Sequence, residues 1–226
     1  MRPRRQLQAL VFDFDGTLAT LTIDFRGMKE ELLALAREVL PGIAAAGDTP
    51  ALEWLDSLFV HQPGIAPGDA QALRNRLECR IVDIEVAAAQ CGALFDFVRP
   101  MLTRLRGKGV RTAIITRNCS KALYQVFPDA AELTDGVFTR DDVHRVKPDP
   151  GHLLAALEAL GVSPGRAAMV GDHVSDIRTG KRAGTLTVGV LTGSSSRRDL
   201  LGAGADLVAD DGRGAAQALL EWPGRD

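Results

Sequence analysis

The chain has 226 residues, enough for one large domain or two modest ones at roughly 150 residues each, and it needs no disulfide or metal staple to fold. Lys and Arg number 27 against 29 Asp and Glu, a formal net charge of −2, which argues against a general binder of nucleic acid or other polyanions. A composition 46% apolar and 25% charged excludes a disordered chain and fits a compact soluble protein.

Arg2, Arg4 and Arg5 mimic the start of a signal peptide, but the apolar run Ala9 to Phe12 is broken by Asp13 and lacks a small-residue cleavage site. Leu7 to Asp15 (LQALVFDFD) is a short apolar run that ends in acids and then Gly16, which predicts a buried strand. From Ile23 to Leu94 the pattern is helical only, with helices expected over Arg26 to Leu40, Pro50 to Val60 and Asp69 to Gln90. In the last of these, Ala70, Leu73, Leu77, Ile81, Ile84 and Ala88 recur at helical spacing and are expected to form one buried face. Pro41-Gly42, Gln62-Pro63-Gly64 and Pro67-Gly68 are the breaks between these helices.

After the helical stretch, helices and strands alternate. A helix over Val98 to Arg106 stops at Gly107 and Gly109, and Val110 to Thr116 reads as the second strand. His152 to Leu160 is helical and ends at Gly161, after which Ser163-Pro164 opens a new element. Ala167 to Asp172, Leu186 to Leu191 and, more weakly, Ala205 to Ala209 read as strands. Helices over Val174 to Ala183 and Gly214 to Trp222 accompany them. The expected fold is α/β: a Rossmann-like parallel sheet with helices on both faces and an all-helical cap inserted after the first strand. The core is expected to span residues 1–20 and 96–226, and the cap residues 21–95.

Cys79, Cys91 and Cys119 form no C-x-x-C pair and fit neither a disulfide framework nor a zinc site, which points to a reducing compartment and a cytoplasmic protein. No run approaches the roughly 18 apolar residues of a membrane span, so no membrane association is expected.

The chemistry gathers at strand ends, where open α/β sheets bind their ligands. In D13-F-D-G-T-L18, period two puts the carboxylates of Asp13 and Asp15 on one side of the strand as it runs out. Thr116-Arg117-Asn118 ends the second strand with a hydroxyl, an amide and free N–H groups suited to an oxyanion. Lys147, one of five lysines, precedes the rigid turn Pro148-Asp149-Pro150, and G171-D-H-V-S-D176 sets Asp172 and Asp176 at a strand-to-helix turn. Brought together, four carboxylates would repel strongly, since two like charges 4 Å apart cost about 4 kcal/mol at an effective dielectric of 20. Such a cluster calls for a hard cation, and oxygen-only ligands point to magnesium over zinc. Magnesium beside a Lys and a Thr suits phosphate.

These four segments resemble, in order, the motifs of the haloacid-dehalogenase-like hydrolase superfamily, and within it the phosphatases related to phosphoglycolate phosphatase. The resemblance covers nearly the whole chain, and the helical insertion lies where that family has its helical cap. It implies that Asp13 is the nucleophile, forming an aspartyl-phosphate, and that Asp15 is the general acid and base. It implies that magnesium is held by the Asp13 carboxylate, the Asp15 backbone carbonyl and Asp172, with Asp176 supporting the metal or ordering Lys147. Thr116 and Lys147 would hold the phosphoryl oxygens, together with Asn118 and Arg117. Arg117-Asn118 departs from the Asn-Gly or Asn-Lys often found after the Thr, so Arg117 either faces the substrate or lies on the surface. His173 replaces a common small polar residue, and either touches the site or is a solvated or core-edge histidine.

The implied reaction is the magnesium-dependent hydrolysis of a small phosphomonoester metabolite. Two alternatives stay open: a phosphosugar mutase on the same scaffold, and a non-catalytic phosphate-binding regulatory module. Asp15 argues against a dehalogenase, and the absence of any lysine between Lys29 and Lys108 argues against a phosphonate hydrolase with a cap Schiff base. Elsewhere the plain readings are preferred. His61, His144 and His152 share no ligand spacing and are expected at the surface, Cys119 is expected to be a buried inert thiol, and Asp141-Asp142 a turn.

Overall fold

The structure, a computed structural model, describes residues 7–60 and 65–222. His61, the break at 62–64 and the arginines at 2, 4 and 5 lie outside the described residues. The strands are β1 (Ala9–Phe12), β2 (Ala19–Thr20), β3 (Ala93–Leu94), β4 (Arg111–Ile115), β5 (Gly136–Phe138), β6 (Ala167–Gly171), β7 (Leu186–Val190) and β8 (Leu207–Ala209). The helices are α1 (Phe25–Arg37), α2 (Ala51–Val60), α3 (Pro67–Gln90), α4 (Val98–Gly107), α5 (Ser120–Val126), α6 (Ala130–Leu133), α7 (Pro150–Leu160), α8 (Val174–Ala183), α9 (Arg197–Gly202) and α10 (Gly212–Leu220).

Six strands form one parallel sheet in the order β5-β4-β1-β6-β7-β8, and β2 pairs with β3 in a small antiparallel ribbon. Every residue of β1 and β6 is buried, as expected where helices cover both faces of a parallel sheet. Ala9, Val11, Ala113, Ile115 and Met169 point to one face and pack with Leu153, Ala156, Leu157 and Leu160 of α7. The sheet has one strand more than expected from the sequence. With three residues, β5 is too short for a periodic signal, and its half-buried GVF carries little apolar contrast.

Because β1 is central, the chain builds outward through β4 and β5, then crosses back to β6 on the other side. The point of reversal leaves a crevice beyond the carboxyl ends of β1, β4 and β6.

The chain divides into two compact units, one ending at Leu21 and resuming at Ala89, the other Thr22–Ala88. The second unit is helical. The Asp24 carboxylate caps α1 by accepting from Gly27 N–H at 2.9 Å, and Met28, Leu32 and Ala36 face inward at four-residue spacing. They pack with Trp54, Leu55 and Leu58 of α2 and Leu73, Leu77 and Ile81 of α3. The buried line on α3 departs from the expected one: it steps by four from Leu73 through Ile81 to Glu85 and Ala89, leaving Ile84 and Ala88 half-buried. A stripe drawn through apolar residues alone passes over a buried carboxylate. Among the described residues, no helix is long and apolar enough to cross a membrane.

Candidate active site

The site is built from segments that follow the carboxyl ends of the strands. Asp13 continues β1 and stays in register through its N–H on the Val170 carbonyl at 2.8 Å. The chain then turns sharply, with the N–H groups of Leu18 and Ala19 on the Phe14 carbonyl and Gly16 at φ +78, a left-handed conformation suited to glycine. A Cβ on Gly16 would lie 2.6 Å from the Asp172 carboxyl carbon, so the turn and Asp172 approach closely only because no side chain intervenes. The Asp15 carboxylate accepts the Leu21 N–H at 2.8 Å.

Lys147 joins the acids. Its Nζ donates to Asp13 at 2.5 Å and to Asp176 at 2.7 Å, and the residue is 2% exposed although it lies in a turn after β5. Among the described residues, Asp13, Asp172 and Asp176 are the group of acids whose oxygens converge, all within 4.8 Å of one another. Asp176 is held by the His173 N–H at 3.0 Å, the reciprocal half of a capping box at the start of α8. Asp172 accepts from the Ser194 N–H at 2.9 Å. On the other side of β1, Thr116 and Asn118 are both buried, and the Thr116 hydroxyl accepts from the Asn118 N–H at 3.1 Å. The Asn118 Nδ2 amide is buried with no partner among the described residues.

The electrostatics follow from this crowding. Burial, then the neighbouring Asp176 charge, pushes the Asp13 carboxyl well above the usual range, against the pull of Lys147. Burial pushes Asp15 up to about 6, with the Asp172 charge adding and the Leu21 amide opposing. Asp172 is raised by burial and by Asp176. Burial disfavours the Lys147 charge, but Asp13 and Asp176 outweigh it and hold its pKa above the ordinary value. Thus one lysine faces three buried carboxylates, which if all ionised would carry more negative charge than it offsets. Together with an oxygen-only donor set, that favours a hard divalent cation.

The structure brings Asp13, Asp172, Asp176 and Lys147 into direct contact or close approach, with Asp15, Thr116 and Asn118 on the same rim. The Asp15 carboxylate stands outside the convergent trio and turns to Leu21. Arg117, half-buried, directs its guanidinium at the Lys147 carbonyl at 2.7 Å, so it grips the lysine's backbone. His173 is exposed, and its ring accepts the Ser175 N–H at 3.2 Å as the cap of α8. His144 is exposed and Cys119 buried, as expected.

His152 corrects the reading of the histidines as surface residues: it is fully buried at the start of α7, between Phe138 and Lys147. Its sequence neighbours gave no warning, because Leu153 and Leu154 alone do not reveal which way the first turn of α7 faces. Two further residues were missed by the motif reading. The Thr192 hydroxyl donates to the Gly16 carbonyl at 2.6 Å, and Ser194 holds Asp172. A Cβ on Gly193 between them would collide with the Asp172 carboxylate. Their signal was positional: polar residues that follow a strand of the same sheet.

A family model described as haloacid dehalogenase-like hydrolase matches residues 7–184. The chain is 27% identical over 224 residues to the N-acetylmuramic acid 6-phosphate phosphatase of Pseudomonas aeruginosa, covering 93% of each protein. It is 28% identical over 214 residues to the phosphoglycolate phosphatase of Pseudomonas putida, covering 89% of this chain and 76% of that one. A hydrolase structure from Pseudomonas syringae superposes with a TM-score of 0.70 at 22% identity, over 95% of this chain and 98% of the other, a likeness of fold.

Proposed function

The chain belongs to the haloacid dehalogenase-like hydrolase family, and on that footing we propose that it is a magnesium-dependent phosphatase. It would hydrolyse a small phosphorylated metabolite through an aspartyl-phosphate. The observation that carries this reading is the buried lysine between Asp13 and Asp176, with Asp172 closing the group of acids. Relatives named as phosphatases of N-acetylmuramic acid 6-phosphate and of phosphoglycolate support a phosphomonoester substrate. Three cysteines with no C-x-x-C pair fit a reducing compartment, and we place the enzyme in the cytoplasm.

Asp13 attacks phosphorus in line, forming the Asp13 O–P bond as the bond from phosphorus to the substrate oxygen breaks. Asp15, raised to about 6, holds a proton more readily near neutrality than an ordinary carboxyl and delivers it to the leaving oxygen. The same carboxylate then takes a proton from water as that water attacks phosphorus, freeing Asp13 and inorganic phosphate. Lys147 keeps the nucleophile's charge tolerable in a buried setting, and Thr116 and the Asn118 amide, which has no partner among the described residues, offer donors to phosphoryl oxygens. Asp13, Asp172 and Asp176, with the Asp15 backbone carbonyl, would hold magnesium, which when bound offsets negative charge on the carboxylates and the phosphoryl group.

The test is turnover of an aryl phosphate with stoichiometric release of inorganic phosphate, abolished by a chelator and restored by magnesium. Phosphoryl transfer to a sugar phosphate with little inorganic phosphate would replace this reading with that of a mutase. Tight binding under magnesium without turnover would replace it with that of a binding module.

A further inference from the structure

We propose that His152 is a positioning residue that ties Lys147 to Thr116, so that one buried imidazole sets the spacing of two groups on the phosphoryl site. The inference rests on the phosphatase reading above. His152 Nε2 lies 3.0 Å from the Phe138 carbonyl oxygen. A carbonyl only accepts, so Nε2 carries the ring proton and Nδ1 is left as an acceptor. The Lys147 backbone N–H points at that Nδ1 at 3.4 Å. The same Phe138 carbonyl also receives the Thr116 N–H at 3.0 Å. A single ring therefore links the backbone of Lys147 to the carbonyl that holds the backbone of Thr116.

Lys147 has special need of such a tie. It lies in a turn between β5 and α7, where no strand or helix ladder fixes its peptide. Its side chain has four rotatable bonds, yet Nζ must land between Asp13 and Asp176. Arg117 holds the Lys147 carbonyl at 2.7 Å, and His152 holds its N–H, so both flanking peptides are anchored. Burial and then the Lys147 charge keep the His152 ring neutral, its pKa pushed down to about 4, against the Phe138 carbonyl and Asp142; Arg117 adds to the depression. The neutral form alone offers both an acceptor and a donor. Packing would require only the ring's volume, which phenylalanine supplies; the tie requires both nitrogens.

The test compares His152→Phe, which fills the space, with His152→Asn, which keeps an acceptor near the Nδ1 position. Steady-state turnover of an aryl phosphate and competitive inhibition by inorganic phosphate are measured, with unfolding followed by circular dichroism. We expect kcat to fall about tenfold and the phosphate inhibition constant to rise by a similar factor in the folded His152→Phe protein, since misplacement by an ångström costs up to about a hundredfold. His152→Asn is expected to recover most of kcat. A folded His152→Phe protein with unaltered kcat and phosphate inhibition would overturn the proposal.

The nitrogen-15 spectrum of the unaltered protein gives a readout independent of activity. A neutral ring protonated on Nε2 at pH 7 supports the tie, and a ring protonated on Nδ1, or on both nitrogens, refutes it even where neither variant folds. No turnover by the unaltered protein would instead sink the phosphatase reading, and the spectrum would still judge the role of His152.

Discussion

β1 separates two halves of the site that are built from opposite chemistry. On the β6 and β7 side stand Asp172 and Asp176, and the protein meets them with N–H groups from Ser194 and His173. On the β4 and β5 side the pattern is reversed: the Phe138 carbonyl and the His152 ring receive N–H groups from Thr116 and Lys147. That second half keeps the lysine Nζ and the Asn118 amide for other partners. Asp13 ends the strand between the halves. An excess of carboxylate beside a set of donors is strained in each half taken alone, and it suits a cation and an anion bound together.

Breaking the shared member should have the largest effect. Asp13→Asn removes the nucleophile and is expected to lower kcat by about 10⁴-fold or more while the protein stays folded, as for other covalent catalysts. Full activity in that variant would remove Asp13 from the mechanism. Lys147→Met comes next: it takes from Asp13 and Asp176 the cation that faces both. Turnover should fall by about 10² to 10³. The metal-free protein should also unfold at a lower temperature, because removing one partner leaves buried charge uncompensated. Wild-type kcat/KM in this variant would show that the lysine is structural only.

Asp172→Asn sharpens the comparison from the acidic half. Its carboxyl is pushed up by burial and by Asp176, which marks the ionised form as strained in the metal-free protein. Neutralising it is expected to raise the metal-free unfolding temperature by about 3 to 6 °C. Magnesium should stabilise the unaltered protein in proportion to its occupancy and leave the variant almost unmoved. An equal magnesium response in both proteins would move the metal elsewhere.

The two halves also differed in how far the sequence revealed them. The acidic half was legible because D13-F-D-G and G171-D-H-V-S-D176 place carboxylates at the ends of strongly apolar strands. There the period of the strand decides which side chains share a face. The donor half was legible at Thr116, Asn118 and Lys147, but not in what holds them. Its scaffold depends on β5, three residues without periodicity, and on His152, whose neighbours on Lys147 and Phe138 are five and fourteen residues away. Burial of a polar residue through such medium-range contacts leaves no spacing to read. The same holds for Glu85, buried on α3 where an apolar stripe was drawn through Ile84. Arg117 was recognised as a departure, but its grip on a backbone carbonyl 30 residues on required the fold.

The smallest effect is the most direct measure of the difference between the halves, because their pH dependences have opposite sign. The His152 ring has a folded pKa of about 4, below the usual 6.5. As pH falls through 6.5 the unfolded chain takes up a proton that the folded chain refuses, so stability is lost progressively between pH 6.5 and 4. Asp15 runs the other way. Its carboxyl is held at about 6 against a usual 3.8, so the unfolded chain gives up its proton first and stability is lost as pH rises from 3.8 to 6. Asp13 and Asp172, both raised, add to the same slope. Unfolding midpoints of the metal-free protein between pH 4 and 7 read these slopes as differences from the unaltered chain. His152→Phe should remove part of the loss toward acid, and Asp15→Asn part of the loss toward neutrality, each by about 2 to 4 °C across the window. Parallel curves for all three proteins would mean that the halves are not poised against each other, and that the strain in the carboxylates is relieved by something other than a cation.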